Sequence, residues 1–269
     1  MKRIAFIWWF DRATEIKPNW RDGLRAALEE IEKEHTVDWY LDCTYPIKDD
    51  YDFILFWGDS ECPFFNQLDS YKCKKGICLS TYPLLYDNLR KLDVVYCEST
   101  PIYDAVRGQG IHAIKAFGTD TNFYTPDDTV KDIDFFYPAT FSPWKNQSGI
   151  VIYGDKLLCV GTVQPDGQME LEACRMAGVR TEIGYFPAEK IRDYYRRAKN
   201  VPIPAKHGSE RTVLEAMSMN ILPDVSEANF KAYSYIREFK NSVYIFPRDF
   251  VLRYYSPEVY AENLLRGMI

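Results

Sequence analysis

Short apolar runs alternate with helix-period segments twice along this chain of 269 residues, and that alternation constrains the fold most strongly. Continuous apolar runs are typical of strands buried on both faces of a parallel sheet. In the first half, predicted strands cover 3–10, 37–41, 52–57, 76–80, 94–97 and 111–116. A helix is predicted to open at Pro18 and Asn19, and another to span 101–106. Strands that alternate with helices indicate a parallel sheet covered on both faces.

The alternation restarts after a polar, turn-rich segment at 119–132, which we interpret as a linker. Predicted strands follow at 134–137, 156–160, 181–183, 201–203, 221–223 and 243–246, with helices at 167–176, 188–198, 210–219 and 257–266. The sequence thus predicts an α/β protein with a Rossmann-like domain at 1–118, a second one at 133–255, and a terminal helix at 256–269. One option is that this helix packs back onto the first domain. Because doubly wound sheets bind ligands beyond the carboxyl ends of their strands, the predicted site is a cleft between the two domains.

The charge and cysteine content limit the classes of partner and compartment. A net charge of −6 argues against a broad phosphate-backbone footprint and disfavours nucleic acid as a partner. The basic segment 190–199 is interpreted first as a solvated helix face, with peripheral contact to an anionic membrane as the alternative. The seven cysteines form no zinc pattern and indicate reduced thiols, so we expect a cytoplasmic protein. No apolar run approaches the roughly 18 residues of a membrane span, and the first residues lack the features of a signal peptide.

The most informative segment is 199–219, which is predicted to form a strand, a loop and a helix. The loop contains Lys206, His207, Gly208 and Ser209, and the glycine allows close approach of a ligand to the backbone. Amides in the first turn of a helix lack partners within the helix and suit an anion such as a diphosphate. A carboxylate one turn deeper can accept two hydrogen bonds from a ribose diol. The predicted nucleotide-binding residues of this segment are Gly208, Ser209, Arg211, Thr212, Val213 and Glu215.

The run GSERTVLEAMSMNILP at 208–223 resembles the signature of retaining glycosyltransferases with the GT-B fold, of the family-4 type (glycosyl transferases group 1). Three further stretches, at 97–110, 110–126 and 182–198, resemble this family in the same order, so the resemblance covers 94–225 well. It implies two Rossmann-like domains facing across a cleft and the transfer of a hexose from a nucleotide-sugar, with UDP- or GDP-sugar favoured. It also implies retention of configuration, no metal ion and no further cofactor. The acceptor class stays open among a glycan, a lipid and a small molecule.

The resemblance assigns roles to individual residues and shows where this chain departs from the family. Glu215 matches the second acidic residue of the signature, which implies a ribose ligand. The first acidic position falls on His207, which we expect to hydrogen-bond the donor sugar or, as a cation, to stabilise the leaving diphosphate; Glu210 is the alternative catalytic carboxylate. Lys145 matches the lysine of the basic pair that binds the diphosphate, whereas the arginine of that pair falls near Thr140 and is missing. We expect Arg211 or Lys206 to compensate, and we place Tyr185 near the base.

Two other functions remain open from the sequence. The departures at His207 and Thr140 are compatible with a catalytically silent subunit that binds a nucleotide-sugar and partners an active enzyme. Another GT-B enzyme, such as an epimerase or a phosphorylase, is the second alternative. A screen for transfer and hydrolysis separates the first of these from a glycosyltransferase.

Overall fold

The computed structural model describes residues 1–8, 21–40, 44, 46, 50–80 and 84–268. The chain divides into two compact units: unit 1 consists of Met1–Gly118 and Pro257–Ile269, and unit 2 is Thr119–Ser256. The last two residues of the first predicted strand and the predicted helix start at Pro18 and Asn19 lie outside the described residues.

Unit 1 contains a six-stranded parallel sheet in the order β2-β1-β3-β4-β5-β6. Its strands are β1 (Arg3–Trp8), β2 (Thr36–Tyr40), β3 (Phe53–Gly58), β4 (Lys74–Leu79), β5 (Val94–Cys97) and β6 (Ala113–Lys115). Side chains alternate between the two faces of the sheet: Ile4 and Phe6 join one buried cluster, whereas Ala5 and Ile7 join the other. Burial on both faces therefore accounts for the continuous apolar runs of the sequence, as predicted.

Helices cover both faces of this sheet. They are α1 (Gly23–Ile31), α2 (Tyr86–Leu89) and α3 (Thr100–Arg107), and a 3-10 helix spans Pro63–Ser70. Asp22 caps α1 by accepting a hydrogen bond from the Arg25 amide at 3.0 Å, and Leu24 and Leu28 are buried on the face towards the sheet.

Unit 2 contains a four-stranded parallel sheet in the order β10-β7-β8-β9 and a separate parallel pair, β11-β12. The strands are β7 (Ile133–Pro138), β8 (Leu157–Gly161), β9 (Arg180–Ile183), β10 (Ala198–Asn200), β11 (Pro202–Ile203) and β12 (Asp224–Val225). The helices are α4 (Gln168–Met176), α5 (Ala188–Arg197), α6 (Glu210–Ser218), α7 (Phe230–Lys240) and α8 (Pro247–Tyr254), with a 3-10 helix at Gln147–Lys156.

Two strands predicted in unit 2 are wrong. Residues 221–223 belong to the turn that ends α6: Asn220 has φ 59°, and the Ile221 amide donates to the Ala216 carbonyl at 2.9 Å. Residues 243–246 form the turn between α7 and α8, in which Val243 and Ile245 are exposed while Tyr244 packs on Phe250. The four consecutive apolar residues of this turn resemble a short strand, but Val243, Ile245 and Phe246 are exposed to solvent and do not pack in a sheet.

The segment 119–132, predicted as a linker, lies in unit 2. The Thr119 amide donates to the Tyr255 carbonyl at 2.9 Å, and Asp120 accepts from the Phe123 amide at 3.0 Å. The guanidinium group of Arg248 donates to the carbonyls of Thr121 and Tyr124. These bonds fix the segment to the body of unit 2.

The chain ends in helix α9 (Pro257–Met268), which belongs to unit 1. Tyr96 donates to the Leu264 carbonyl at 2.6 Å, and a Cβ on Gly267 would lie 2.4 Å from the Tyr96 hydroxyl, so the glycine permits this close contact. Six cysteines among the described residues are free thiols, and Cys43 lies outside that part of the chain. Within the same part, no helix combines the length and apolar character needed to cross a membrane.

Candidate functional site

The loop that connects β11 to α6 has the backbone shape of an anion-binding turn. Gly208 and Ser209 both have φ near +73°, in the left-handed region, and right-handed helix begins at Glu210. A left-handed residue followed by a right-handed one turns successive N–H groups towards a common point. The first hydrogen bond of α6 runs from the Val213 amide to the Ser209 carbonyl at 3.0 Å. The amides of Glu210, Arg211 and Thr212 therefore precede the helical ladder, which suits an anion.

Lys145 reaches this loop from the segment that follows β7. Its Nζ donates to the Ser209 hydroxyl at 3.0 Å and to the His207 carbonyl at 3.4 Å. A Cβ on Gly208 would lie 2.7 Å from the same Nζ, so glycine is what allows the ammonium group to approach. The structure thus brings together Lys145, Gly208 and Ser209, three of the residues selected from the sequence.

Further hydrogen bonds hold the two loops in register. The Lys206 amide donates to the Trp144 carbonyl at 2.8 Å, and Asn146 donates to the Pro204 carbonyl at 3.2 Å. Beneath them, Tyr137 donates to the Lys145 carbonyl at 3.2 Å, and burial raises the pKa of this tyrosine, which keeps its hydroxyl protonated. Both loops follow the carboxyl ends of their strands, where ligands of α/β sheets bind.

The environment of His207 favours the neutral form of its imidazole. Burial lowers the pKa of its imidazole, the charges of Lys231 and Lys145 lower it further, and Glu210 opposes them. The predicted role of His207 as a cation therefore does not describe the free protein. A bound diphosphate would reverse this balance, because its negative charge favours the imidazolium.

Glu210 forms a buried ion pair that the sequence analysis missed. Its carboxylate lies 3.1 Å from the Nζ of Lys231, and the two side chains are 7% and 1% exposed. Lys231 lies in the first turn of α7, where Asn229 donates to the Gly208 carbonyl at 2.7 Å. In the free protein Glu210 is thus engaged with Lys231, and its role as the substitute catalytic carboxylate stays a prediction.

Glu215 lies one turn further into α6, as its spacing predicts, and it is nearly enclosed. Its side chain is 5% exposed, with one carboxylate oxygen 3.3 Å from Arg211 Nε. The other oxygen accepts a hydrogen bond from the buried Tyr195 hydroxyl at 3.1 Å. A ribose at this position would have to replace the contact with Arg211, whose side chain is 57% exposed and able to move. In the free protein Arg211 contacts Glu215, and its compensation for the missing arginine stays a prediction.

The remaining candidates are placed less favourably. The Val213 side chain is buried and its amide bonds within α6, so Val213 offers no amide to a ligand, contrary to the prediction. Thr212 is also buried. Tyr185 follows β9 and is 55% exposed, without a hydrogen bond or ring contact among the described residues. The side chain of Lys206 is exposed.

The basic segment 190–199 is largely neutralised by neighbouring carboxylates. Arg197 pairs with Asp132 at 2.7 Å, and Lys199 pairs with Asp134 at 2.6 Å. Lys190 pairs in the same way with Glu182. The arrangement agrees with a solvated helix face, the first of the two interpretations of this segment. Within the described ranges, no cluster of three or more His, Cys, Asp and Glu side chains is arranged to hold a metal ion.

No protein-family model and no curated protein sequence matches the chain. Among solved structures, an α-glucosyltransferase in complex with UDP and a 13-mer DNA containing an HMU base has a TM-score of 0.62 at 10% identity, covering 99% of both chains. AviGT4, a glycosyltransferase involved in avilamycin A biosynthesis, has a TM-score of 0.61 at 13% identity, covering 100% of this chain and 97% of its own. An α,α-trehalose 6-phosphate synthase from Burkholderia multivorans has a TM-score of 0.55 at 10% identity, covering 81% and 71%.

These likenesses establish the class of fold. The chain has the GT-B type of α/β fold, built from two Rossmann-like units, as the sequence predicted. One fold can host many activities, so at these identities the activity depends on the residues that this chain places in its own site.

Proposed function

We propose that this protein is a glycosyltransferase that moves a sugar from a nucleotide-sugar to an acceptor. The observation that carries the proposal is the contact of Lys145 Nζ with Ser209 and the His207 carbonyl, beside the first-turn amides of α6. An ammonium group and first-turn amides around one glycine form a site for a diphosphate. This site lies at the carboxyl ends of β7 and β11, where ligands of α/β sheets bind. The GT-B fold is also that of a protein solved in complex with UDP, and both points support a nucleoside diphosphate as the ligand.

The same groups supply the chemistry of glycosyl transfer. When the bond between the sugar and the diphosphate breaks, negative charge develops on the leaving phosphate oxygen. Lys145 and the amides of α6 stabilise that charge from fixed positions, which is the main way in which preorganised sites lower a barrier. His207, neutral in the free protein, gains affinity for a proton as the charge grows and then adds to the stabilisation. Glu215 binds the ribose once Arg211 has moved away from it.

Retention of configuration, independence of metal ions and preference for a UDP- or GDP-sugar are parts of this proposal. The positive charge that a metal would contribute to the leaving group is supplied by the protein's own cation and helix N-terminus. Activity is therefore expected to persist with a chelator present. The anomeric configuration of the product, followed by proton NMR, tests retention. We propose no cofactor beyond the donor itself, and a glycan, lipid or small molecule as acceptor.

The decisive experiment is a calorimetric titration with UDP, GDP, ADP, dTDP and the matching nucleosides, followed by a transfer and hydrolysis screen with the corresponding sugars. Lys145→Ala should weaken binding of the diphosphate by about tenfold or more, the effect of losing a charge-assisted hydrogen bond, and leave the nucleoside unaffected. Lys199→Ala is the matched control, because Lys199 pairs with Asp134 on the surface of the same unit. Equal affinities of the Lys145 variant and the wild type for every diphosphate would exclude the proposal.

A silent nucleotide-sugar-binding subunit is the second candidate. It is favoured by a neutral histidine at the position where the family resemblance expects a carboxylate, and by the engagement of Glu210 with Lys231. This candidate predicts that a nucleotide-sugar binds and remains intact over a broad panel of acceptors. Turnover that is lost in Lys145→Ala would exclude it.

A further inference from the structure

We propose that Lys231 is a positioning residue of the diphosphate site: by pairing with the Glu210 carboxylate, it keeps that carboxylate from turning to Lys145 and the first-turn amides of α6. This inference rests on the proposed function for the identity of the ligand. It concerns a residue on α7 that lies outside every segment selected from the sequence.

Both members of the ion pair are buried. Lys231 is 1% exposed and Glu210 is 7% exposed, at an Nζ–Oε1 distance of 3.1 Å. A lysine is seldom fully buried unless it is paired, because removing its charge from water carries a large cost. Loss of Lys231 removes the cation that lies 3.1 Å from the buried Glu210 carboxylate. The carboxylate is thus held in place by an interaction that the protein cannot easily give up.

Glu210 occupies a position from which its carboxylate could compete with a ligand. It is the first residue of α6, next to the positive end of the helix, which attracts carboxylates as well as phosphates. Its Oε2 lies 4.0 Å from where a Cβ on Gly208 would be, and Lys145 Nζ lies 2.7 Å from the same point. A Glu210 side chain released from Lys231 could therefore turn to Lys145 and to the first-turn amides. It would then occupy the groups that a diphosphate needs.

Helix α7 is attached to the loop. Asn229 accepts a hydrogen bond from the Ala232 amide at 3.2 Å, which caps α7, and its amide group donates to the Gly208 carbonyl at 2.7 Å. The start of α7 is therefore fixed to the anion-binding turn at two places, through Asn229 and through Lys231. His207 senses the same pair, because the charge of Lys231 lowers the pKa of its imidazole and that of Glu210 raises it.

The test combines three variants with two readouts. In Lys231→Met, we expect UDP binding to weaken by about tenfold or more, the change that corresponds to one charge-assisted contact. In Glu210→Gln combined with Lys231→Met, no carboxylate remains to compete, so UDP binding should recover to within about threefold of the wild type. Lys240→Met is the matched control, since Lys240 is exposed at the other end of α7 and should leave binding unchanged.

The second readout is the pKa of His207, followed by NMR of the imidazole resonances. The chain has three histidines, so a His207→Asn variant assigns the signal. Lys231→Met should raise the pKa of His207, and Glu210→Gln should lower it. If Lys231→Met weakened UDP binding only by disturbing the structure, removing the Glu210 charge as well would not restore the UDP affinity. If Lys231→Met does not fold, the double variant, which buries no charge at this position, carries the test through its UDP affinity and its His207 pKa.

The outcomes separate the two proposals. If the wild type binds no nucleoside diphosphate, the proposed function is refuted, and the positioning role, which rests on it, is refuted with it. If the wild type binds UDP, and Lys231→Met binds it equally well with an unchanged His207 pKa, the positioning role is refuted and the proposed function stands. A double variant that binds UDP as weakly as Lys231→Met also overturns the positioning role.

Discussion

Replacement of Gly208 by alanine tests the geometry of the anion-binding turn most directly. Gly208 has φ +73°, and a Cβ at this position would lie 2.7 Å from Lys145 Nζ, which is closer than a Cβ atom comes to a non-bonded neighbour in folded proteins. The methyl group would therefore displace the ammonium group from the loop. Since the neighbour is the end of a flexible side chain and not backbone, the fold can adjust while the site cannot.

The two effects differ in size. Alanine in the left-handed region costs about 1 kcal/mol, partly offset by the lower entropy of the unfolded chain, so the melting temperature should fall by only a few degrees. Displacement of Lys145 removes its hydrogen bond to Ser209 and its contact with a diphosphate. A charge-assisted hydrogen bond is worth about 1.5–3 kcal/mol, so UDP binding should weaken by about 10- to 100-fold.

Gly178→Ala provides a matched control within unit 2. Gly178 has φ +75°, nearly the same as Gly208, but a Cβ there would have nothing within 4 Å. Both variants should lose similar stability in urea denaturation, whereas only Gly208→Ala should lose affinity for UDP in calorimetry, with uridine binding unchanged. Equal UDP affinities of the two variants would show that Lys145 and Gly208 do not form the diphosphate site.

Other contacts in unit 2 lead to three more predictions. In calorimetry, Glu215→Ala should weaken binding of both uridine and UDP by about 1–3 kcal/mol, and Tyr195→Phe should have a smaller effect on both. An unchanged affinity of Glu215→Ala for uridine would remove Glu215 from the ribose site. The pKa of His207 is lower in the folded protein than in the unfolded chain, so the unfolded state binds more protons. The free energy of unfolding should therefore fall as the pH drops below about 6.5. Denaturation of His207→Gln over the same pH range should lack this contribution. Arg248→Met should cost about 2–4 kcal/mol in urea denaturation, because its guanidinium donates to carbonyls that include Ser218 and Tyr124; a loss below about 0.5 kcal/mol would mean that water replaces these bonds.

The parallel sheets could be predicted from the sequence because their strands are buried on both faces. Every run predicted as a strand in the first half overlaps a strand of the six-stranded sheet, since a short, continuous apolar run between turn residues is typical of a buried parallel strand. Short helices at Pro63–Ser70 and Tyr86–Leu89 were not predicted in unit 1, and the longer helices α7 and α8 were not predicted in unit 2. The turn at 243–246 is a continuous run of four apolar residues, as in a short strand, and Tyr244 packs on Phe250 and Tyr254. Periodicity over four residues cannot distinguish these cases.

The candidate site could be predicted where it depends on local sequence. Gly208, Ser209 and Glu215 follow from the form of a loop that opens a helix, and Lys145 follows from the family resemblance. Pairing could not be predicted, because the partners lie on separate elements: Lys231 with Glu210, and Tyr195 with Glu215. A glutamate at the start of a helix has the same sequence appearance whether it faces a ligand or a buried lysine.

Pairing also explains how a chain with a net charge of −6 can present a site for an anion. The conspicuous basic run at 190–199 is matched by Asp132, Asp134 and other carboxylates at 2.6–3.0 Å, so its field is largely cancelled at the surface. At the loop, Lys145 donates to the Ser209 hydroxyl and to the His207 carbonyl. Glu210, at the start of α6, contacts Lys231 instead. The direction of the local field therefore depends on which carboxylate each cation contacts, and this is why a change at the buried Lys231 should affect a diphosphate more than a change in the exposed basic run.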